Sequence, residues 1–168
     1  KLPKRNLFTN YVYFNIVKDV FSDGLLEIIF IDLDSFKTIN DTVGHGMGDE
    51  ILYLVGEKLK KLLSKNDLVS RFSGDEFLIM INHVKNDEEM ISIAQKLMGL
   101  FYEPFILKGQ EFFMTASAGI ALYPRDGKDP DTLIMNADIA KFKAKEKGRN
   151  QYLLCSADIK GEVNRQNQ

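Results

Sequence analysis

Residues 68–81 read Leu68-Val69-Ser70-Arg71-Phe72-Ser73-Gly74-Asp75-Glu76-Phe77-Leu78-Ile79-Met80-Ile81. Two apolar runs, Leu68–Phe72 and Phe77–Ile81, flank the polar stretch Ser73–Glu76. A Gly-Asp pair between two apolar runs is typical of a β-hairpin, because glycine tolerates the positive φ that a tight turn needs. We therefore predict two short strands with two acidic residues at the tip of their hairpin. Acidic residues are common in turns, so this pair alone does not identify a site.

A third apolar run, Leu25–Leu33, predicts a buried strand that ends in acidic residues. Asp32 and Asp34 stand two residues apart, so in an extended chain their side chains leave the same face. A divalent cation with oxygen ligands is one reason for such a pair, and a solvated strand end is the other interpretation. If this strand lies beside the hairpin, Asp32 joins the turn acids in one cluster, which with a metal makes a phosphoryl-transfer site.

The rest of the chain alternates helices and strands. Periodicity predicts helices over Arg5–Phe21 and Ile51–Leu62. Capping residues add a helix from the N-cap Asn86 to Phe101 and one from Asp129-Pro130 to about Lys147, with Gly148 as C-cap. Strands are predicted over Glu111–Tyr123 and Gln151–Leu154. This order predicts an α+β fold, with a mostly antiparallel central sheet flanked by helices. Gly119, within a predicted strand, indicates a close backbone approach or a bulge.

A glycine-rich loop is predicted at Val43–Gly48, immediately before a helix. Exposed N–H groups at a helix start favour anions, so phosphate binding is one interpretation. The spacing matches neither the dinucleotide fingerprint nor the P-loop, and a loop that only lets the chain turn sharply is the other interpretation. Asp49 is either a hydrogen-bond acceptor for a ligand or an acid favoured by the helix dipole.

Basic residues concentrate in the stretch 141–149, where four lysines and Arg149 face a single acid, Glu146. Cations are favoured at a helix C-terminus, so the dipole alone can explain them. Lys145 and Arg149 are four residues apart and share a face, which suits them to grip a triphosphate. Acidic groups for a metal and basic groups for phosphate point to a nucleoside triphosphate.

The composition restricts the class of protein. The chain has 168 residues, 45% hydrophobic and 27% charged, which is typical of one globular domain. Its net charge of −2 gives no basic field for a nucleic-acid polymer.

The single Cys155 excludes an intrachain disulfide framework and suits a reducing compartment. No apolar run approaches the ~20 residues of a membrane span, so we expect no direct membrane contact from this segment. The opening Lys1-Leu2-Pro3 indicates a chain cut from something longer, and we expect a cytoplasmic location, alone or as part of a membrane-anchored protein.

Residues 71–77 resemble the signature of the GGDEF domains, the diguanylate cyclases of bacterial cyclic di-GMP signalling. Four further blocks resemble that family in order and spacing: Leu2–Arg5, Asp32–Asp41 continuing to Gly48-Asp49, Ser117–Ala121, and Ala137–Asn150. Residues 1–155 are on this basis the GGDEF domain, and residues 156–168 a polar tail or the start of a linker. The stretch Ser117–Gly127 and the tail after Asn150 are similar to composite proteins that carry GGDEF and EAL domains.

The resemblance implies a palm-like fold shared with nucleotidyl cyclases and polymerases. It implies that two GTP condense into cyclic di-GMP with loss of two pyrophosphates. Two Mg²⁺ or Mn²⁺ ions per half-site would be held by Asp32, the Leu33 carbonyl and Asp75. Glu76 would be a further metal ligand or the base that activates the 3′-hydroxyl.

The nucleotide contacts are implied in the same way. Asn40 and Asp49 would bind the guanine edge, and Gly74 would let the turn approach the nucleotide. Lys37, Lys145 and Arg149 would neutralise the triphosphate. Because each domain binds one GTP, a face-to-face homodimer is implied, with EAL and sensory domains as further partners in the same protein.

Three departures from the family pattern affect these expectations. Ser73 replaces the first signature glycine. The product-inhibition motif R-x-x-D reads Ser64-Lys65-Asn66-Asp67, so Asp67 is retained but its arginine is lost, which predicts weak or absent feedback inhibition. Lys141-Phe142 stand where the family prefers an apolar residue and tyrosine, a change that we expect to affect packing more than the site.

Two functions follow from these residues. The leading hypothesis is a catalytic diguanylate cyclase, because every implied metal, base and guanine position is retained. The alternative is a regulatory module that binds GTP in the same pocket, turns it over negligibly and controls an adjacent EAL phosphodiesterase. A purely structural domain, the third interpretation, predicts no Mg²⁺-dependent nucleotide binding.

Overall fold

The structure is a computed structural model that describes residues 4–18 and 24–155. The predictions for residues 1–3, for the last part of the first helix at residues 19–21 and for the tail at residues 156–168 lie outside the described residues.

The described residues form helices on both faces of one main sheet. In chain order the elements are α1 (Arg5–Lys18), β1 (Leu25–Leu33), α2 (Phe36–Val43), α3 (His45–Lys61), β2 (Leu68–Ser73), β3 (Glu76–Val84), α4 (Asp87–Gly99), a 3-10 turn (Leu100–Tyr102), β4 (Phe105–Leu107), β5 (Gln110–Phe112), β6 (Ala116–Tyr123), α5 (Pro130–Glu146) and β7 (Gln151–Leu154). Among these helices, none combines the length and the hydrophobicity that a transmembrane span requires.

The main sheet has the strand order β2-β3-β1-β6-β7, and β4 pairs with β5 in a separate hairpin. The pairs β2–β3, β3–β1 and β1–β6 are antiparallel, and only β6–β7 is parallel among the described strands. The predicted α+β fold with a mostly antiparallel sheet is therefore confirmed.

Strand β1 is central and buried on both faces, which explains its nearly continuous apolar run. Ile29, Ile31 and Leu33 face the cluster that contains the buried side chains of α3 and α4. Ile28 and Phe30 face the cluster that α1 and α5 cover. Because Asp32 follows this second alternation, its side chain leaves the sheet on the α5 side.

The local capping signals are also confirmed. The side chain of Asn86 accepts a hydrogen bond from the Glu89 amide at the start of α4. Asp129 does the same for the Thr132 amide, and Pro130 is the first residue of α5. These side chains satisfy amides that have no partner within their own helix.

Several predicted element boundaries are wrong, and α2 and β4 were not predicted. Val43–Gly48 is not a loop, because α2 ends at Val43 and α3 begins at His45, with Gly44 at a φ of +89° making the break alone. The predicted strand Glu111–Tyr123 is divided, because β5 turns back on β4 and ends at Phe112. Lys147 caps α5, and Gly148 follows it at a φ of +116°.

Gly119 lets α5 lie directly on β6. A Cβ built at Gly119 would collide with the backbone of α5 at the Ala137 carbonyl and the Lys141 amide, and would stand 2.9 Å from the Ala140 carbonyl carbon. The pairing of β1 with β6 runs through Gly119 without a register shift. Of the two predicted interpretations, the structure therefore shows a close backbone approach.

Candidate active site

The pairing of β1 with β3 places the predicted acidic residues together at one end of the sheet. Asp32 lies opposite Glu76 in the antiparallel register. The Leu33 amide donates a hydrogen bond of 3.1 Å to the Asp75 carbonyl at the hairpin tip. The end of β1 and the turn of the hairpin therefore form one local structure, as expected if the strand lies beside the hairpin.

The hairpin has a two-residue turn, Gly74-Asp75, with Ser73 paired to Glu76. Arg71 Nε donates to the Gly74 carbonyl at 2.9 Å and closes the turn. The φ of Gly74 lies outside the left-handed region, so the predicted reason for a glycine here is wrong. Apart from its two chain neighbours, no residue of the described chain has an atom within 4 Å of a Cβ built at Gly74, and the turn is open on that side.

Asp32 is a half-buried carboxylate that two lysines of α5 approach. Its Oδ2 lies 3.3 Å from Lys145 Nζ and 3.9 Å from Lys141 Nζ. Burial, and then the like charge of Asp75, raise the pKa of Asp32 to about 6, although both lysines act in the opposite direction. Asp32 therefore lies in a cluster of like charge that the two lysine ammonium groups partly neutralise.

Both carboxyl oxygens of Glu76 already have partners within the chain. Ser73 Oγ donates to Oε1 at 2.7 Å, and Lys141 Nζ donates to Oε2 at 2.6 Å. Burial acts to raise the pKa of Glu76, but the hydrogen bonds from Lys141 and Ser73 outweigh it and hold the pKa below its ordinary value. Glu76 is therefore an ionised group and a weak base in this arrangement.

Lys141 is the residue that the sequence analysis misjudged. Its side chain is only 8% exposed, lies 4.4 Å from the Phe30 ring centroid and also bonds Asp138 at 2.8 Å. Burial acts to lower its pKa, but the hydrogen bonds with Asp138 and Glu76 raise it above the ordinary value. The expectation that Lys141 affects packing more than the site is wrong, since its ammonium group reaches the acidic cluster. Its departure from the family pattern was the signal available in the sequence.

Asp34, the second acid of the predicted pair, is a structural anchor. It accepts hydrogen bonds from Thr115 Oγ1 at 2.7 Å, Ser117 Oγ at 2.8 Å and the Asn150 amide at 3.0 Å. Burial acts to raise its pKa, but the hydrogen bonds from Thr115, Ser117 and Asn150 dominate and lower it. The carboxylate therefore ties the end of β1 to β6 and to the turn before β7, a role that its sequence spacing did not reveal.

The predicted phosphate-binding residues divide into two groups. Lys145 Nζ lies 3.4 Å and Arg149 Nη1 3.6 Å from Asp34 Oδ1, so these two cations meet beside the acidic cluster. Lys37 lies exposed on α2, a different element. The structure therefore brings Lys145 and Arg149 together and holds Lys37 apart from their ion pairs.

The predicted guanine-binding residues lie where α2 meets α3. Asn40 on α2 packs its side chain against Gly48 in the first turn of α3, where no Cβ would fit. Its Nδ2 also lies 2.9 Å from His45 Nδ1. Asp49 is the next residue along α3 and is exposed. The break at Gly44 thus places the Asn40 amide, near the end of α2, close in the chain to the Asp49 carboxylate, near the start of α3.

The donor set suits a hard divalent cation, since Asp32, Asp75 and Glu76 supply carboxylates and Leu33 a carbonyl. Within residues 4–18 and 24–155, however, no three His, Cys, Asp or Glu side chains are already arranged around a common metal position. Lys141 and Lys145 supply the positive charge between Asp32 and Glu76. The chemistry of these ligands fits a divalent cation, and the ammonium groups of Lys141 and Lys145 lie beside them.

The stretch Ser64–Asp67, which the family resemblance aligns with a degenerate inhibitory motif, makes hydrogen bonds with the backbone. Asp67 accepts hydrogen bonds from the Ser64 amide at 2.8 Å and the Asn82 amide at 2.9 Å. A groove of about 330 Å³ lies beside these residues and is lined also by His83 and Glu89. Position 64 carries no arginine, and the Asp67 carboxylate stabilises the turn at Ser64 and the backbone of β3 at Asn82.

Comparison with known proteins places these features in a family. The family described as diguanylate cyclase, GGDEF domain, matches residues 1–151. The chain is 42% identical over 134 residues to the cyclic di-GMP phosphodiesterase NbdA of Pseudomonas aeruginosa, covering 80% of this chain and 17% of that protein. It is 34% identical over 166 residues to the bifunctional diguanylate cyclase/cyclic di-GMP phosphodiesterase MucR of the same species, covering 99% of this chain and 24% of that protein. The chain thus spans about a quarter or less of the length of these relatives.

Solved structures agree with this match. The crystal structure of the GGDEF domain of YfiN, or TpbB, from Pseudomonas aeruginosa superposes with a TM-score of 0.87 at 31% identity, covering 92% of this chain and 96% of that one. The active GGEEF domain of a diguanylate cyclase from Vibrio cholerae gives a TM-score of 0.77 at 26% identity, covering 91% and 96% of the two chains.

Proposed function

The chain belongs to the GGDEF family of diguanylate cyclase domains, and on this premise we propose that it condenses two GTP into cyclic di-GMP and two pyrophosphates. One observation supports this proposal above the others. The β1–β3 register joins Asp32 to Glu76 and Asp75, while α5 brings Lys145 to the same place. Acidic groups for a metal and a cation for phosphate therefore converge on one open turn.

The metal would be held by Asp32, the Leu33 carbonyl and Asp75, with Glu76 as a further ligand or as the base. When bound, Mg²⁺ or Mn²⁺ would stabilise the charge that develops at the α-phosphate. Two ions per half-site is the number that the family resemblance implies.

Lys145 and Arg149 would bind the triphosphate, with Lys37 contributing from α2. In the structure Lys145 and Arg149 pair with Asp32 and Asp34, so they would exchange these carboxylates for phosphate oxygens when the nucleotide binds. The 3′-oxygen of one GTP then forms a bond to the α-phosphorus of the other, and the bond from that phosphorus to pyrophosphate breaks. The proton of the 3′-hydroxyl passes to Glu76 or to water. Two such steps close the ring, and positioning contributes most of the acceleration.

Guanine would be recognised at the junction of α2 and α3 by Asn40 and Asp49, with Gly74 leaving space for the nucleotide. A carboxylate at Asp49 accepts from N1–H and the N2 amino group, donors that adenine lacks. We expect Asp49→Ser to reduce the preference for GTP over ATP, measured by competition binding. An unchanged preference would remove this role from Asp49.

Catalysis requires two domains, since each would hold one GTP and the two reactive ends must meet. We propose a face-to-face homodimer for this purpose. EAL and sensory domains in the same full-length protein are proposed from the composite relatives, of which the chain covers 17% and 24%.

The decisive experiment incubates concentrated protein with GTP and Mg²⁺ and measures cyclic di-GMP by mass spectrometry. An Asp75→Ala/Glu76→Ala sample, prepared identically, controls for a contaminating cyclase. Product from the wild type alone supports the cyclase. Neither product nor Mg²⁺-dependent GTP binding would refute both this function and the alternative.

A second candidate is the GTP-binding regulatory module that controls an adjacent EAL phosphodiesterase. The engagement of both Glu76 oxygens by Ser73 and Lys141 favours it, because these two hydrogen bonds stabilise the ionised carboxylate and make it a weaker base. NbdA, at 42% identity, is named a cyclic di-GMP phosphodiesterase. Mg²⁺-dependent GTP binding without product, lost in the double variant, is the result that this candidate predicts.

A further inference from the structure

We propose that Lys141 is a positioning residue whose ammonium group takes the place of a divalent cation at Glu76. The wild-type domain then binds metal through Asp32 and Asp75, with little contribution from Glu76. This inference rests on the proposed function, because it concerns the metal site of that same reaction.

The contacts of Glu76 are the first support. Its Oε2 lies 2.6 Å from Lys141 Nζ, the distance of a strong charge-assisted hydrogen bond. Its Oε1 accepts from Ser73 Oγ at 2.7 Å. A metal ion that binds either oxygen must compete with a partner that the chain itself supplies.

The way in which Lys141 is held is the second support. The backbone of α5 presses against Gly119, which brings the Lys141 amide so close to β6 that no Cβ fits between them. The ammonium group stands over the face of Phe30 and also bonds Asp138. Because its side chain is only 8% exposed, the charge cannot swing out to water as a surface lysine does.

The origin of the two Glu76 partners is the third support. Ser73 stands where the family signature has glycine, and Lys141 stands where the family prefers an apolar residue. These residues lie 68 positions apart in the chain, yet both departures end on the same carboxylate, one on each oxygen. A glycine and an apolar residue would leave that carboxylate free for an external cation.

The consequence follows from charge. A fixed ammonium neutralises Glu76 and repels a divalent ion that approaches it. Lys145, the neighbouring cation, is different because it pairs mainly with Asp32 and Asp34 and would move to the triphosphate. Lys141 lies 2.6 Å from Glu76 and 3.9 Å from Asp32, so it weakens metal binding chiefly at the Glu76 side of the acidic cluster.

The test titrates Mn²⁺ into the purified chain and follows free Mn²⁺ by electron paramagnetic resonance, which counts bound ions without any turnover. We expect Lys141→Met to tighten binding by about ten-fold or more, or to add a second ion per chain. Adding Glu76→Gln to Lys141→Met should abolish this gain. The matched control Lys60→Met removes the same charge from an exposed position on α3 and should change binding by less than about two-fold.

A second measurement does not depend on the folding of Lys141→Met. In the otherwise wild-type chain, Asp75→Asn should weaken Mn²⁺ binding by about ten-fold or more, and Glu76→Gln by less than about two-fold. Equal losses in these two variants, or unchanged binding in folded Lys141→Met, would overturn the role of Lys141 and leave the proposed function intact. Mn²⁺ binding that is absent, or indifferent to Asp75→Asn, would overturn the metal site itself and this inference with it.

Discussion

Strand β1 carries an acidic residue near each end, Glu27 and Asp32, and the surroundings of the two carboxyl groups differ. Asp32 lies within 4 Å of two lysine ammonium groups, and burial raises its pKa only to about 6. Glu27 is fully buried, and neither of its carboxyl oxygens has a hydrogen-bond partner in the part of the chain that the structure describes. Burial, with the like charges of Asp67 and Glu89, raises the pKa of Glu27 to about 9.

The difference shows what a strand can do with a buried carboxyl group. At the Asp32 end, α5 supplies cations, so the acids stay charged and can exchange one cation for another. At the Glu27 end no basic residue of the described chain forms an ion pair with the carboxyl group, so the group keeps its proton at neutral pH. A charged carboxylate such as Asp32 can exchange its lysine partners for a metal ion or a ligand. A neutral buried carboxyl group such as Glu27 mainly lowers the stability of the fold.

The largest expected effect is a loss of stability on substitution of Asp34, which lies two residues from Asp32. We expect Asp34→Ala to lower the free energy of unfolding by about 3–5 kcal/mol, because it leaves buried hydrogen-bond donors and two cations without their acceptor. The measurement is urea unfolding at pH 7. Asp41→Ala, at an exposed acid on α2, is the control and should stay within about 0.5 kcal/mol of the wild type. A loss of similar size in both variants would contradict the anchoring role.

A smaller effect, of opposite sign, is expected at the Glu27 end. Between pH 4.5 and about 9 the folded chain holds a proton that the unfolded chain has released. Stability therefore falls as pH rises through this window, by at most about 1.4 kcal/mol per pH unit. We expect Glu27→Met to be more stable than the wild type by about 1–4 kcal/mol at pH 8, with the gain becoming smaller toward pH 5.

Thermal or urea unfolding at several pH values checks this prediction. The control Glu103→Met replaces an exposed acid and should show the same pH dependence as the wild type. A Glu27→Met variant that is less stable than the wild type at pH 8 would contradict a destabilising role for this carboxyl group.

The sequence predicted the parts of the fold that local chemistry determines. The apolar run of β1, the hairpin at Gly74-Asp75 and the caps Asn86 and Asp129 all depend on residues within a few positions of one another. Helix α2 was not predicted, and the break before α3 was predicted as a loop over Val43–Gly48, because one glycine at positive φ suffices where several glycines suggested a loop.

The contacts of the candidate site depend on tertiary packing and were less accessible. Asp34 bonds Thr115 and Asn150, which are 81 and 116 positions away in the chain. Lys141 reaches Glu76 only because Gly119 admits α5 onto the sheet. Periodicity identifies the buried face of a helix, but it does not indicate which buried side chain carries a charge to a partner on another element.

The smallest expected effect concerns Asp67, which lies near Glu27 and is the retained acid of the degenerate inhibitory motif. We expect the wild type to bind cyclic di-GMP weakly or not at all here, and Asp67→Ala to leave that binding unchanged. The reason is that both Asp67 oxygens accept backbone amides, from Ser64 and Asn82, and position 64 carries no guanidinium for the product. Calorimetric titration of cyclic di-GMP into both proteins measures this directly. Micromolar binding that Asp67→Ala abolishes would show that the carboxylate leaves its amides for the product, and the Glu27 end of β1 would then also border a ligand site.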